Sequence, residues 1–187
     1  WAHFLGVGLV DPVDDLRATN PPSNPKLLDA LAMDFVSHKF DQKQLIRRIM
    51  NSRVYQLSSL PRPENAEQTR FYTHYNVKRL PAEVLFDAID FACGTREKFP
   101  RVQLGTRAIE LPDPNFESYF LDTLGRLQRV VACECERTAE PNLAQVLQIA
   151  NGEVLQRKLT DENGRVASIV KRDLEDRAAI RELYLAT

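Results

Sequence analysis

Apolar side chains recur every three or four positions through most of this chain, the spacing that turns one face of an α-helix toward a core. Leu27, Leu28, Leu31, Phe35 and Val36 form one such face. Ser23-Asn24-Pro25 ahead of them supplies a capping side chain and a proline for the first turn. Asp41 caps a second helix carrying Leu45, Ile46, Ile49 and Met50, with Arg47, Arg48 and Arg53 as a basic strip that acids of the preceding segment can pair with. A polar helix is expected over Glu64 to Tyr75, with Phe71, Tyr72 and Tyr75. A stronger one follows Pro81: Glu83 suits its N-terminal dipole, Val84, Leu85, Ala88, Ile89 and Ala92 face a core, and Gly94 closes it. Glu140-Pro141 opens another, with Leu143, Val146, Leu147 and Ala150 on one face and Asn151-Gly152 ending or interrupting it. Val154 to Leu159 add a turn or short helix, and Asp161-Glu162-Asn163-Gly164 reads as a turn. Two last patterns run through Val166, Ile169, Val170 and Leu174, then Ala179, Ile180, Leu183 and Tyr184.

Two segments break this rhythm. Over residues 6–25, Gly6, Gly8, Pro12, Pro21, Pro22 and Pro25 prevent a periodic element, and Asp11, Asp14 and Asp15 cluster beside Arg17. Those carboxylates suit a turn that caps backbone amides and pairs with the arginine; a hard-cation site is the other reading, although the ordered ligand spacing of an EF-hand is absent. Residues 95–131 are the longest stretch without periodicity, punctuated by Pro100, Gly105, Pro112, Pro114 and Gly125. Within it Arg107-Ala108-Ile109-Glu110-Leu111 alternates polar and apolar and is expected as a short strand, with a short helix from Ser118 to Leu124. A loop of this length is usually functional or packed as an Ω-loop. The expected fold is mainly α: a multi-helix globular domain of six to eight helices over 1–187, with a long ordered loop that admits a short hairpin and a sub-division near 95–131.

Composition sets limits on function. The 187 residues are 43% hydrophobic and 27% charged, with a formal net charge of −1. That is an ordinary globular balance, and it provides no field for recruiting nucleic acid or an anionic membrane. No apolar run approaches the roughly 20 residues that span a bilayer. The chain opens on Trp1-Ala2-His3-Phe4-Leu5 without Met, and its last residues have helical spacing without a stop signal, so both ends are expected to continue into a longer protein.

The densest reactive chemistry is Ala132-Cys133-Glu134-Cys135-Glu136-Arg137. Cys133 and Cys135 admit three readings. Thiolates two residues apart, completed by Glu134 or Glu136, suit zinc or copper(I) if His3, His38 or His74 arrives from elsewhere. A disulfide between them closes a very small loop and is labile. In an extended structural segment both cysteines point inward and both acids outward. The third cysteine, Cys93, lies in the apolar run Ile89-Asp90-Phe91-Ala92 and is expected as a buried small hydrophobe. Arg107, Asp113, Arg126, Glu136 and Arg137 form a second constellation, either a salt-bridge network holding the long loop or a site whose guanidinium forks take carboxylate, phosphate or sulfate groups, as on sugar acids or sulfated glycans. His38 is placed to meet a helix C-terminus, and His74 lies among tyrosines.

Several phrases occur in a fixed order: Trp1-Ala2-His3-Phe4-Leu5-Gly6, Asp14-Asp15-Leu16-Arg17, Pro22-Ser23-Asn24-Pro25, Asn51-Ser52-Arg53-Val54-Tyr55-Gln56, Lys78-Arg79-Leu80-Pro81-Ala82-Glu83, Gly105-Thr106-Arg107-Ala108, Leu111-Pro112-Asp113, and Cys133-Glu134-Cys135-Glu136-Arg137 with Leu143-Ala144-Gln145. In these the whole chain resembles the planctomycete surface domain one family, a domain of unknown function. The resemblance implies a parent that is extracytoplasmic, periplasmic or secreted, and associated with planctomycete-type cytochrome c domains. Haem c is then expected elsewhere in the parent; this chain has no Cys-x-x-Cys-His run and no cofactor of its own is expected. Where relatives often read Gly-Arg-Pro-Lys-Arg-Glu, this chain has Gly125-Arg126-Leu127-Gln128-Arg129-Val130, which weakens a charged catalytic loop there.

Three functions follow as expectations. The leading one is a non-catalytic helical module for interaction or assembly, with other domains of the same parent as partners. The second is a redox or carbohydrate-active enzyme module built from Cys133, Cys135, Glu136, Arg137, Arg107 and Asp113. The third is a glycan-binding module using Arg and Tyr side chains.

Overall fold

The computed structural model describes residues 1–128 and 142–186. It is mainly α-helical, and no strand occurs among the described residues. The chain divides into two compact units, Trp1–Lys78 and Arg79–Thr187.

In the first unit, α1 (Ala2–Leu5) is a single turn that ends on Gly6 in the left-handed region. Helix α2 (Pro25–Ser37) starts where the sequence placed it: Asn24 Oδ1 accepts the Leu27 amide at 3.0 Å. Asp41 does the same for the Gln44 amide at the start of α3 (Gln42–Met50). Arg48 of α3 reaches Asp34 of α2 at 2.8 Å, the pairing foreseen for the basic strip. His38 closes α2, its ring nitrogen 2.8 Å from the Asp34 carbonyl. At the acidic cluster, Arg17 holds Asp15 through two side-chain hydrogen bonds of 2.7 Å, and this contact holds the Asp15 carboxyl below the usual carboxylate range.

The polar helix expected over Glu64 to Tyr75 does not form; the segment is a series of turns. Side chains of that segment take the backbone groups a helix would use: Asn65 Oδ1 accepts the Arg62 amide and Asn65 Nδ2 donates to the Thr73 carbonyl. Tyr72 adopts φ +54°, which stops a right-handed helix. The tyrosines are used as ties instead. Tyr72 Oη donates to the Gly8 carbonyl at 2.8 Å and Tyr75 Oη to the Phe4 carbonyl at 3.1 Å, closing the irregular N-terminal segment over buried Leu5, Leu9 and Val10.

The second unit is organised around α4 (Ala82–Cys93), with Gly94 as its left-handed C-cap. The face turned inward is rotated from the expected one. Ala82, Glu83, Phe86 and Cys93 are buried, Leu85 and Ile89 are partly buried, and Val84 and Ala88 are exposed. The reason is Phe86, which meets Phe120 edge-on at 5.3 Å between ring centroids and anchors the core. The rest of that core comes from the segment without periodicity: Ala108, Leu111, Phe116, Phe120, Leu121 and Leu124 are all buried. Each fully buried large side chain there contributes about 1.5–3 kcal/mol of transfer free energy. The long loop is thus a packed element; the short helix expected from Ser118 to Leu124 is α5 (Tyr119–Thr123), with Ser118 as its cap.

Arg107 to Leu111 forms no strand. Ala108–Glu110 is a 3-10 turn. The Asp87 carboxylate of α4 accepts the amides of Ala108 and Ile109 at 2.7 and 3.2 Å, and Glu110 accepts the Arg107 amide at 3.0 Å. With those amides drawn onto carboxylates, the alternation of side chains has no ladder to join.

Asn142 and Gln145 cap α6 (Leu143–Asn151) reciprocally, each side chain accepting the other's amide. Expected helix starters Glu140 and Pro141 lie outside the described residues. Gly152 separates α6 from α7 (Glu153–Leu159), and α8 (Arg165–Lys171) and α9 (Asp176–Ala186) complete the unit. The stripe Leu143, Val146, Leu147 and Ala150 faces outward. Leu143, Val146 and Leu147 are 73%, 58% and 52% exposed, whereas Gln145 and Gln148 are 5% and 8% exposed. The inversion follows from polar anchoring: Gln145 Nε2 donates to the Thr123 carbonyl, and Gln145 Oε1 accepts from Arg79 as well as from its capping partner.

Candidate functional site

The charged groups of the second unit converge at the C-terminal end of α4. Asp87 and Asp90 lie one turn apart on one helix face. Asp90 organises the turn that follows: its Oδ1 accepts the Thr95 hydroxyl at 2.9 Å and its Oδ2 the Glu97 amide at 3.1 Å. Lys158 of α7 then bridges the two acids so placed, with Nζ 2.5 Å from Asp90 and 2.7 Å from Glu97. Its side chain is 4% exposed and lies over the Phe86 ring, 4.6 Å from the centroid. Arg157 adds a second cation on Glu97 at 2.9 Å. Two cations on two carboxylates leave this cluster neutral, which is how a buried ammonium is tolerated.

A cleft of about 520 Å³ opens beside this cluster. Asp87, Asp90 and Glu97 line it together with Arg96, Arg107 and Arg165, and Gly94 and Gly105 give it close backbone walls. Arg165 is fixed by donating Nε and Nη2 to the carbonyls of Ala92 and Phe91, at 2.8 and 3.0 Å, in the last turn of α4. Gly94 is required here twice over: its φ is +69°, and a Cβ on it would sit 3.2 Å from the Arg165 amide nitrogen.

Of the candidate site residues that are described, Arg107 lines this cleft; its Nη2 meets Glu110 at 2.9 Å, and that contact raises the guanidinium pKa and lowers the carboxyl pKa. Asp113 is used in a turn, accepting the Asn115 amide at 2.8 Å. Arg126 is buried, donating to the Phe116 carbonyl at 2.7 Å and to Asp122 at 2.6 Å, so it ties the core segment to its own helix. Cys133, Cys135, Glu136 and Arg137 lie outside the described residues. Cys93 is buried, and desolvation pushes its thiol up. Among the described residues no group of three or more His, Cys, Asp and Glu is placed to hold a metal ion. No helix among them is long and apolar enough to cross a membrane.

Asp87, Asp90, Glu97 and Lys158 were not picked out from the sequence. One signal was legible: two acids three residues apart interrupt the apolar run of α4. Their partner Lys158 lies 68 residues further on, and nothing local marks it.

A second feature is the outward stripe of α6, continued by Ile149, which is also exposed. No curated protein and no solved structure matches this chain. The family model PSD1, described as a protein of unknown function (DUF1553), matches residues 1–187, and the chain belongs to that family.

Proposed function

We propose that this chain is a non-catalytic interaction and assembly module of a multidomain protein. The observation that carries the reading is the stripe of α6, whose leucines and valine face outward while its glutamines are buried. An apolar stripe at helical spacing is ordinarily covered, and a patch of this kind with a polar surround is the usual form of a protein contact. The partner is another domain of the same parent. That parent is extracytoplasmic and carries its haem c outside this chain, as the resemblance to the planctomycete family implies.

Amide hydrogen exchange tests the proposal. Leu143–Asn151 would be followed in this chain alone and in the longer protein the resemblance implies. Slower exchange of α6 in the longer protein, abolished by Leu147→Glu, is the expected result. Equal rates in the two would overturn it.

A further inference from the structure

We propose that the cleft at the end of α4 binds a small molecule carrying one carboxylate and several hydroxyls, a sugar acid in chemical class. The inference rests on this cleft and is independent of the α6 stripe. At about 520 Å³ the cleft lies within the range of small-molecule sites, roughly 300–1,000 Å³.

Its lining presents both kinds of hydrogen-bonding group with capacity left over. Arg96 is exposed and has no ion pair among the described residues. Arg107 engages Glu110 through Nη2, and Arg165 holds the helix carbonyls through Nε and Nη2, so Nη1 of both is unused. A guanidinium matches the planar geometry of a carboxylate: Arg96 can grip one with two parallel hydrogen bonds, and the Nη1 groups of Arg107 and Arg165 can each add a single donor. Beside them Asp87 takes one backbone amide on each oxygen and keeps a second lone pair on each for a hydroxyl donor.

Charge excludes the simpler ligands. A phosphate dianion meets the Asp87 carboxylate, which has no ion pair among the described residues, and a bare cation meets Arg96, Arg107 and Arg165. An apolar molecule desolvates the Arg96 guanidinium and the free Nη1 groups of Arg107 and Arg165 without giving them an acceptor. One negative charge with hydroxyls around it satisfies both sets.

The test is a chemical-shift titration of the whole chain with glucuronate, and with glucose and acetate as controls. Glucuronate is expected to produce saturable shifts at the amides of residues 94–97 and 105–107. Glucose and acetate should each bind at least about tenfold more weakly, since each lacks one of the two contact sets. Arg96→Gln, a change at an exposed side chain with no ion pair, should weaken glucuronate about tenfold and leave the thermal midpoint unchanged. Arg107→Gln should weaken glucuronate by a similar factor. Absence of saturable shifts at these amides, equal response to acetate, or unaltered affinity in both variants would overturn the proposal.

Discussion

Asp90 and Lys158, 68 residues apart in the chain, approach to 2.5 Å, and the lysine is almost wholly withdrawn from water. The contact joins α4 to α7 and, through Glu97, fastens the turn that shapes the charged cleft. Removing one partner of a buried pair leaves the other charge uncompensated, a loss of about 3–5 kcal/mol. Lys158→Met, which keeps the length over Phe86 while leaving Asp90 and Glu97 facing each other, should therefore lower the free energy of unfolding by about 3 kcal/mol. Urea denaturation would measure it; an unchanged midpoint would show that the cluster adds nothing to the fold.

The Arg126 guanidinium is a second internal fastener. It is buried between the Phe116 carbonyl and Asp122, and its Nε has no hydrogen-bond partner among the described residues. Arg126→Ala should cost about 2–4 kcal/mol, from a lost charge-assisted bond and a buried carbonyl left unsatisfied. Arg126→Lys should recover only part of this, because an ammonium cannot reach both acceptors in the same fork. Equal stability of the lysine variant and the wild type would contradict this geometry.

Glu110 provides a pH test. Its carboxyl is held below the ordinary glutamate range, first by the side-chain bond from Arg107 and then by the Arg107 amide. A carboxylate depressed in the folded state contributes stability that is present above its unfolded pKa and lost as pH falls through the folded one. The 3-10 turn should therefore hold through the ordinary glutamate titration range and loosen only at more acid pH. In an NMR titration, Arg107→Gln should raise the Glu110 midpoint. A midpoint that does not move would remove the arginine as the cause.

Gln145 tests why α6 is inverted. Gln145→Ala deletes the capping reciprocity and the bond to the Thr123 carbonyl, so a loss of about 1–3 kcal/mol is expected. Leu147→Glu on the exposed stripe should change stability by no more than about 0.5 kcal/mol. If the leucine change proved the more damaging of the two by thermal denaturation of the isolated chain, the stripe would be core and not surface.

Local chemistry was legible in the sequence, because it is decided within a few residues. Asn24 and Asp41 cap helices as their positions predict, Gly94 ends α4, and the family phrases run from Trp1 to Gln145. The helical class follows from periodicity for the same reason. Tertiary structure decided whatever depended on a distant competitor for the same groups. Turn-forming asparagines and the tie from Tyr72 to Gly8 took Glu64 to Tyr75 out of a helix. The Asp87 carboxylate drew the Ala108 and Ile109 amides into a 3-10 turn. Gln145 and Gln148 went inside because Thr123 and Arg79 offered Gln145 partners there, and the apolar face of α6 was left to the solvent. Periodicity records that a helix has two faces; which of them is buried depends on hydrogen bonds and packing supplied from elsewhere in the chain, and the same holds for the ion cluster beside the cleft, whose lysine arrives from another helix.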